Sequence, residues 1–203
     1  MKALHTALTV SLVSALAGFS AAQSGRNVAV YPWIFTSGNV TSKSFAVSTI
    51  TRIAENQGLR VIAQDTAVGV WDSLRPHVSL RHGLPGDREL ARYADAVHAG
   101  TIIFGKVNWH TRSIWVGTGP KTISSATVDL FVYSAQQGRV VYRNLGSEGR
   151  SDEKESALKD VAAVLITPIV PMVSGGPATP REQRAVQIAI GKAMRRWARQ
   201  ISR

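Results

Sequence analysis

The sequence predicts an α/β protein, a two-layer sandwich in which helices pack on a mixed sheet of about five strands. Three observations carry this expectation. Aliphatic and mixed residues alternate from Ala126 to Tyr133, the period of a strand with one face buried. Helix-like segments end at Gly58 and Gly100, and each runs directly into a strand-like segment. The elements follow the order β-α-β-(α)-α-β-β-β-α-α, which a mixed sheet with packed helices accommodates. The chain has 203 residues, 44% hydrophobic and 18% charged, enough for one domain with a substantial core.

Residues 1–22, MKALHTALTVSLVSALAGFSAA, read as a signal peptide. Lys2 gives the positive start, Ala7 to Phe19 the apolar run, and Ser20-Ala21-Ala22 the small residues before cleavage. The run is short for the ~20 residues of a spanning helix. The expected products are a 22-residue leader and a single α/β domain over 23–203. That domain is exported and is periplasmic or extracellular. Removing the leader takes one lysine and no acid, so the formal charge of +11 becomes +10. There is no cysteine, which excludes disulfides, thiolate metal sites, a cysteine nucleophile and an acylated cysteine.

The first strand is expected over Asn27–Ile34, weakened by Pro32. Thr41 or Ser42 caps a helix that reaches Gln57, with Phe45, Thr49, Ile50 and Ile53 on one face. Leu59–Ala63 is the second strand, and Asp65–Leu74 a short helix carrying Trp71. Two prolines and two glycines make 75–86 a loop. Asp87 caps a helix to His98, stopped at Gly100. Three strands follow, over Thr101–Trp115, Thr122–Ser134 and Arg139–Asn144. Ser151 caps a helix to about Ile166 that starts with Asp152 and Glu153. After a proline- and glycine-rich connection, Thr179-Pro180-Arg181-Glu182 forms a capping box that opens the last helix.

Four phrases in this order carry a family resemblance: VAVYPW, GLRVIAQD, YADAVHAGTIIFGKV and VDLFVYSAQQGRVVYRN. Over about residues 27–165 the chain resembles the envelope α/β domain of the curli-export channel protein, the outer-membrane activator of penicillin-binding proteins and the N-terminal domain of the Tol-system β-propeller protein. The resemblance implies a non-catalytic role in assembling or regulating envelope machinery. Two features depart from it. Many members are lipoproteins, whereas this chain has no cysteine to acylate. The long hairpin carries Lys106, Arg112, Lys121 and Asp129, which interrupt the lipid-facing band that a membrane barrel needs.

The search for chemistry yields no catalytic, metal or cofactor residues. His77, His82, His98 and His110 lack metal-ligand spacing and neighbouring acids. GTGPKT at 117–122 joins two strands, where a phosphate loop must feed a helix, and reads as a hairpin turn. Glu148, Asp152, Glu153 and Glu155 cluster at a loop and a helix start, which capping explains. NVT at 39–41 is an acceptor only in a glycosylating host. Tyr31, Trp33, Phe35, Trp71, Trp109 and Trp115 fit either a core or a partner surface.

The strongest local signal is the terminal helix over 179–201. At about 100° per residue, Arg181, Arg184, Lys192, Arg195, Arg196, Arg199 and Arg203 share one arc, while Val186, Ile190, Ala193, Met194, Trp197 and Ile201 share the opposite one. The expectation is that the apolar arc packs on the domain and the cations face outward, with only Glu182 among them. Such a row attracts polyanions. The expected function is that of an exported, non-catalytic envelope binding or assembly protein docking to an envelope protein or anionic envelope polymer. The alternatives are an envelope hydrolase acting on an anionic polymer and a peripheral binder of anionic membrane. Export and the lack of a nucleic-acid motif argue against nucleic acid.

Overall fold

The computed structural model describes residues 27–36, 40–74, 80–81, 84–153 and 180–201. Its strands are β1 (Asn27–Ala29), β2 (Trp33–Phe35), β3 (Arg60–Val61), β4 (Leu80–Arg81), β5 (Leu84–Pro85), β6 (Thr101–Val116), β7 (Gly119–Ser134) and β8 (Arg139–Arg150). Its helices are α1 (Val40–Asn56), α2 (Gln64–Leu74), α3 (Asp87–Val97) and α4 (Pro180–Ile201). The main sheet runs β3-β1-β6-β7-β8, with β2 also on β6. Pairings among β3, β1, β2 and β6 are parallel, and those of β6 with β7 and β7 with β8 are antiparallel. This is the mixed sheet with packed helices that the sequence predicts.

The expected first strand is split. Ala29 pairs with Ile102 and Trp33 with Gly105, so three residues on one side oppose two on the other. Pro32 lies in this irregularity, where it lacks an N–H for the ladder but accepts from the Gly105 amide at 3.3 Å. The helix expected to be capped by Thr41 or Ser42 already starts at Val40, which places both inside its first turn. The expected loop 75–86 contains a two-residue ladder, Leu80 with Pro85 and Arg81 with Leu84. The cap of α3 is Gly86, and Asp87 is its first residue. At its other end the left-handed residue is His98 (φ 54°), not Gly100, because the Gly100 amide bonds the Asn27 carbonyl across the sheet.

Strand β8 is six residues longer than expected, ending at Arg150 instead of Asn144. The register shifts between Val128 and Leu130, and the Gly146 amide donates to Asp129 Oδ1 at 2.7 Å. Gly146 takes φ 67°, which favours glycine. Ser151 extends this ladder, exchanging bonds with Ser124. Ser151–Glu153 form a turn, and the rest of the helix expected to reach Ile166, with the connection after it, lies outside the described residues.

The two sheet faces are covered differently. On one, Val28, Val30, Trp33, Ile103, Val107, Trp109 and the alternating set Ala126, Val128, Leu130 and Val132 pack against α1 and α4. These form the expected two layers. On the other, Ala29, Ile102, Phe104 and Tyr133 pack under Trp71 of α2 and Leu90, Tyr93, Ala94 and Val97 of α3. Among the described residues, that partial third layer covers the inner end of the hairpin. Farther out, the same face carries Lys106, Asn108, His110 and Arg112 on β6.

Candidate docking site

Helix α4 begins at Pro180, as the capping signature predicts. Its apolar arc is buried: Val186, Ile190, Ala193, Met194 and Trp197 join the core of the first face, and the Tyr142 hydroxyl donates to the Ala193 carbonyl at 2.7 Å. Gln183, Ala185, Ile188 and Ala189 are buried as well. Ile188 lies in the middle of the cationic arc. A cation-lined face is therefore itself against protein, contrary to the expectation that it points outward.

The cause is the end of β8. Gly149 has no side chain, and a Cβ there would overlap the Ala185 carbonyl and the Ala189 amide and lie 2.9 Å from Ile188 Cβ. Glycine thus lets the helix descend onto the strand. The strand end presents oxygens that need donors, and the helix cations supply them. Lys192 Nζ donates to both carboxylate oxygens of Glu153 and to the Glu148 carbonyl, all at 2.9 Å. Arg184 Nη2 donates to the Glu153 carbonyl at 2.8 Å, and Arg181 Nη1 to the Thr122 carbonyl at 3.2 Å. Arg195 is half-buried and has interactions of its own. The side chains of Arg196 and Arg199, and all of Arg203, lie outside the described residues.

The acid cluster also has a different use from simple capping. Glu153 Oε1 accepts from the Arg150 amide at 3.0 Å while its carboxylate holds Lys192. Asp152 takes a two-pronged contact from Arg150, Nε to Oδ1 at 3.0 Å and Nη2 to Oδ2 at 2.9 Å. The Arg150 hydrogen bond lowers the Asp152 pKa, and the same bond raises that of Arg150. The segment after β8 is thereby clasped to the terminal helix. Sequence reading missed Glu153 as the counter-charge of Lys192 because 39 residues separate them.

Beside Arg181 lies an open cleft of about 290 Å³, lined by Thr111, Thr122, Ser124, Pro180 and Glu182. It holds one cation and one acid. Among the described residues no group of His, Asp and Glu could hold a metal ion. No described helix is long and apolar enough to cross a membrane. Of the two readings of the aromatics, core holds for most: Trp33, Trp71 and Trp109 are buried, and Phe35 stacks on Trp109 at 5.8 Å. Trp115 alone of the five tryptophans is exposed.

Fold and site together define an α/β scaffold whose charged groups tie its elements to one another. No family model and no curated protein matches the sequence. Among solved structures the chain is similar to the lipoprotein GNA1162 from Neisseria meningitidis, at 9% identity and TM-score 0.44 over 69% of this chain and 94% of that one. It is similar to the LpoB C-terminal domain from Escherichia coli, at 13% identity and TM-score 0.39 over 60% of this chain and 81% of that one. It is also similar to the hypothetical protein CT253 from Chlamydia trachomatis, at 14% identity and TM-score 0.41 over 87% of this chain and 93% of that one. LpoB is the penicillin-binding-protein activator lipoprotein among the proteins that the sequence phrases resemble. No residue role passes from these structures to this chain.

Proposed function

We propose that this chain is an exported, non-catalytic protein of the cell envelope that binds and helps assemble an envelope complex. Its docking face is the C-terminal part of α4 with the residues after it, and its partner is an acidic protein face or an anionic envelope polymer. One observation carries the reading. From 183 to 203 the chain has six cations, Arg184, Lys192, Arg195, Arg196, Arg199 and Arg203, and no acid. Glu153 answers Lys192 from elsewhere in the fold, and Arg184 is engaged beside it. The docking charge proposed here is therefore that of Arg196, Arg199 and Arg203. Residues 1–22 and the resemblance of the sequence phrases support the envelope setting.

The test separates docking from anchoring. Arg196→Gln/Arg199→Gln/Arg203→Gln removes three charges, and glutamine retains helix propensity. Capture of an anionic partner from envelope extract should fall in this variant, and wild-type capture should weaken with salt, since exposed charges are screened over ~10 Å at about 0.1 M. The melting temperature should stay unchanged. Equal capture by both proteins would make the stripe a device for solubility and contradict the proposal.

A further inference from the structure

The β6–β7 hairpin ends in an exposed aromatic ring. Trp115 is 79% exposed, whereas Trp33, Trp71, Trp109 and Trp197 are 5–6% exposed. Its cross-strand partner is Pro120, and residues 117–118 make the turn. Among the described residues it lies outside both core clusters.

Two cations stand near it on the opposite sheet face, and a third reaches its own face. Arg112 is exposed three residues before Trp115, and exposed Lys121 follows Pro120 and pairs with Ile114. At about 3.3 Å per residue, both lie within roughly 10 Å of Trp115 along the strands. Arg181 adds a third charge through its bond to the carbonyl of Thr122, two residues beyond Pro120. Arg112 and Lys121 share one sheet face, and Thr122 lies on the other, so the collar spans both sides. No acid occurs between 96 and 128 in the sequence. Asp152 reaches Lys121 electrostatically, but its carboxylate is held by Arg150, and Glu182 sits beside Arg181.

We infer that the hairpin tip is a membrane-seating element, with Trp115 at the headgroup level of an anionic phospholipid bilayer and Arg112, Lys121 and Arg181 facing lipid phosphates. Tryptophan is suited to that depth because its ring is apolar and its N–H is polar. Cations within reach of the surface add electrostatic attraction to anionic lipid. The same charges prevent deeper entry, because Arg112 and Lys121 would have to enter hydrocarbon. The tip therefore rests in the interface and does not span. This site is separate from the docking face proposed on α4, and either can fail without the other.

The test uses the full chain and vesicles of phosphatidylglycerol and phosphatidylcholine in a 1:3 ratio, approximating an anionic leaflet (about one anionic lipid in four). Flotation measures affinity, and lipids brominated on the acyl chain quench tryptophans that reach the bilayer. The N-terminal apolar run is common to every variant, so differences among variants report on the tip. The wild type should float with these vesicles more strongly than with pure phosphatidylcholine, and its fluorescence should be quenched. Trp115→Ser should lower affinity about tenfold and abolish the quenching. Trp115→Phe should retain most of the affinity but lose the quenching. Arg112→Gln/Lys121→Gln should lower affinity about fivefold for each cation removed. No quenching of the wild type, or equal quenching of wild type and Trp115→Phe, would overturn the assignment. So would capture of a protein partner that depends on Trp115 without any quenching by lipid.

Discussion

The inner and outer halves of the β6–β7 hairpin share two strands and one continuous ladder, yet they live in different surroundings. At the inner end Ile102, Ile103, Phe104 and Gly105 are all buried, because α1 and α4 cover one face and α2 and α3 the other. Alternation disappears there. At the outer end Thr111, Arg112, Ser113 and Trp115 are exposed, and the pairing from Thr111 with Ser124 to Val116 with Gly119 continues without a break. Strand length and strand burial therefore have separate causes. The partner strand sets the first and the helices set the second.

The sharpest way to break this comparison uses two tryptophans on the same strand and face. Trp109 is 6% exposed and stacked on Phe35, while Trp115 is 79% exposed. Trp109→Ala should cost about 3–5 kcal/mol in chemical denaturation through lost burial and a cavity. Trp115→Ala should stay within about 0.5 kcal/mol of wild type. A large loss from Trp115→Ala would mean that the outer end supports the fold.

A smaller contrast uses two glycines. A Cβ at Gly105 would overlap the Asp129 carbonyl and lie 2.9 Å from Trp33 Cζ3, whereas one at Gly117 meets nothing within 4 Å. Gly105→Ala should destabilise by about 1–3 kcal/mol, the usual cost of overpacking, because backbone must give way. Gly117→Ala should be nearly neutral. Thermal melts of the two variants would measure the difference, and equal losses would remove the distinction between packed and unpacked halves.

The same division explains what the sequence disclosed. Alternation at 126–133, a hairpin turn within 117–122 and helices carrying Trp71 and Leu90 are local signals and were legible, although the turn is tighter than expected and its second strand already starts at Gly119. The length of β8 was not, because it depends on Gly146 meeting Asp129, 17 residues earlier. His98 instead of Gly100 ends α3 for a similar reason, since Gly100 is committed to Asn27, 73 positions away in the chain. The apolar arc of α4 was legible from its period. The use of its cations was not, because Gly149, Glu148 and Glu153 create the demand for them, and no helical period reports a strand end packed against it. Trp115 and Trp109 were both open between core and surface in the sequence, and packing against the described elements separates them.

Titration sharpens the comparison further, because each region responds at its own end of the pH scale. Tyr93, on α3 at the inner end, donates to the Ala67 carbonyl at 2.9 Å, and its pKa is raised first by burial and then by Tyr31. A raised phenol pKa means that the native state holds its proton after the unfolded state has released it. The stabilisation is fully present below the unfolded value of 10.0 and is lost as pH rises through the folded one. Stability should therefore fall above pH 10 by up to about 1.4 kcal/mol per pH unit from this group. Tyr93→Phe should flatten that limb while costing about 1 kcal/mol at neutral pH for the lost hydrogen bond.

The acid limb should be the smallest effect, because the pair that produces it is exposed. Asp152 sits beside the outer half, and its pKa is lowered by the Arg150 hydrogen bond, with a further contribution from Lys121. A lowered carboxyl pKa has the opposite sign. Its stabilisation is present above the unfolded value of 3.8 and is lost as pH falls through the folded one. Both side chains remain partly exposed, at 38% for Arg150 and 21% for Asp152, so water and salt screen the pair. Asp152→Asn should accordingly reduce the drop in melting temperature below pH 4 slightly, and added salt should shrink the difference. The alkaline limb should be unchanged in that variant, just as Tyr93→Phe should leave the acid limb alone. If either substitution altered both limbs, the two ends of the hairpin would be energetically coupled through the ladder, and the independence of their surroundings would have to be abandoned.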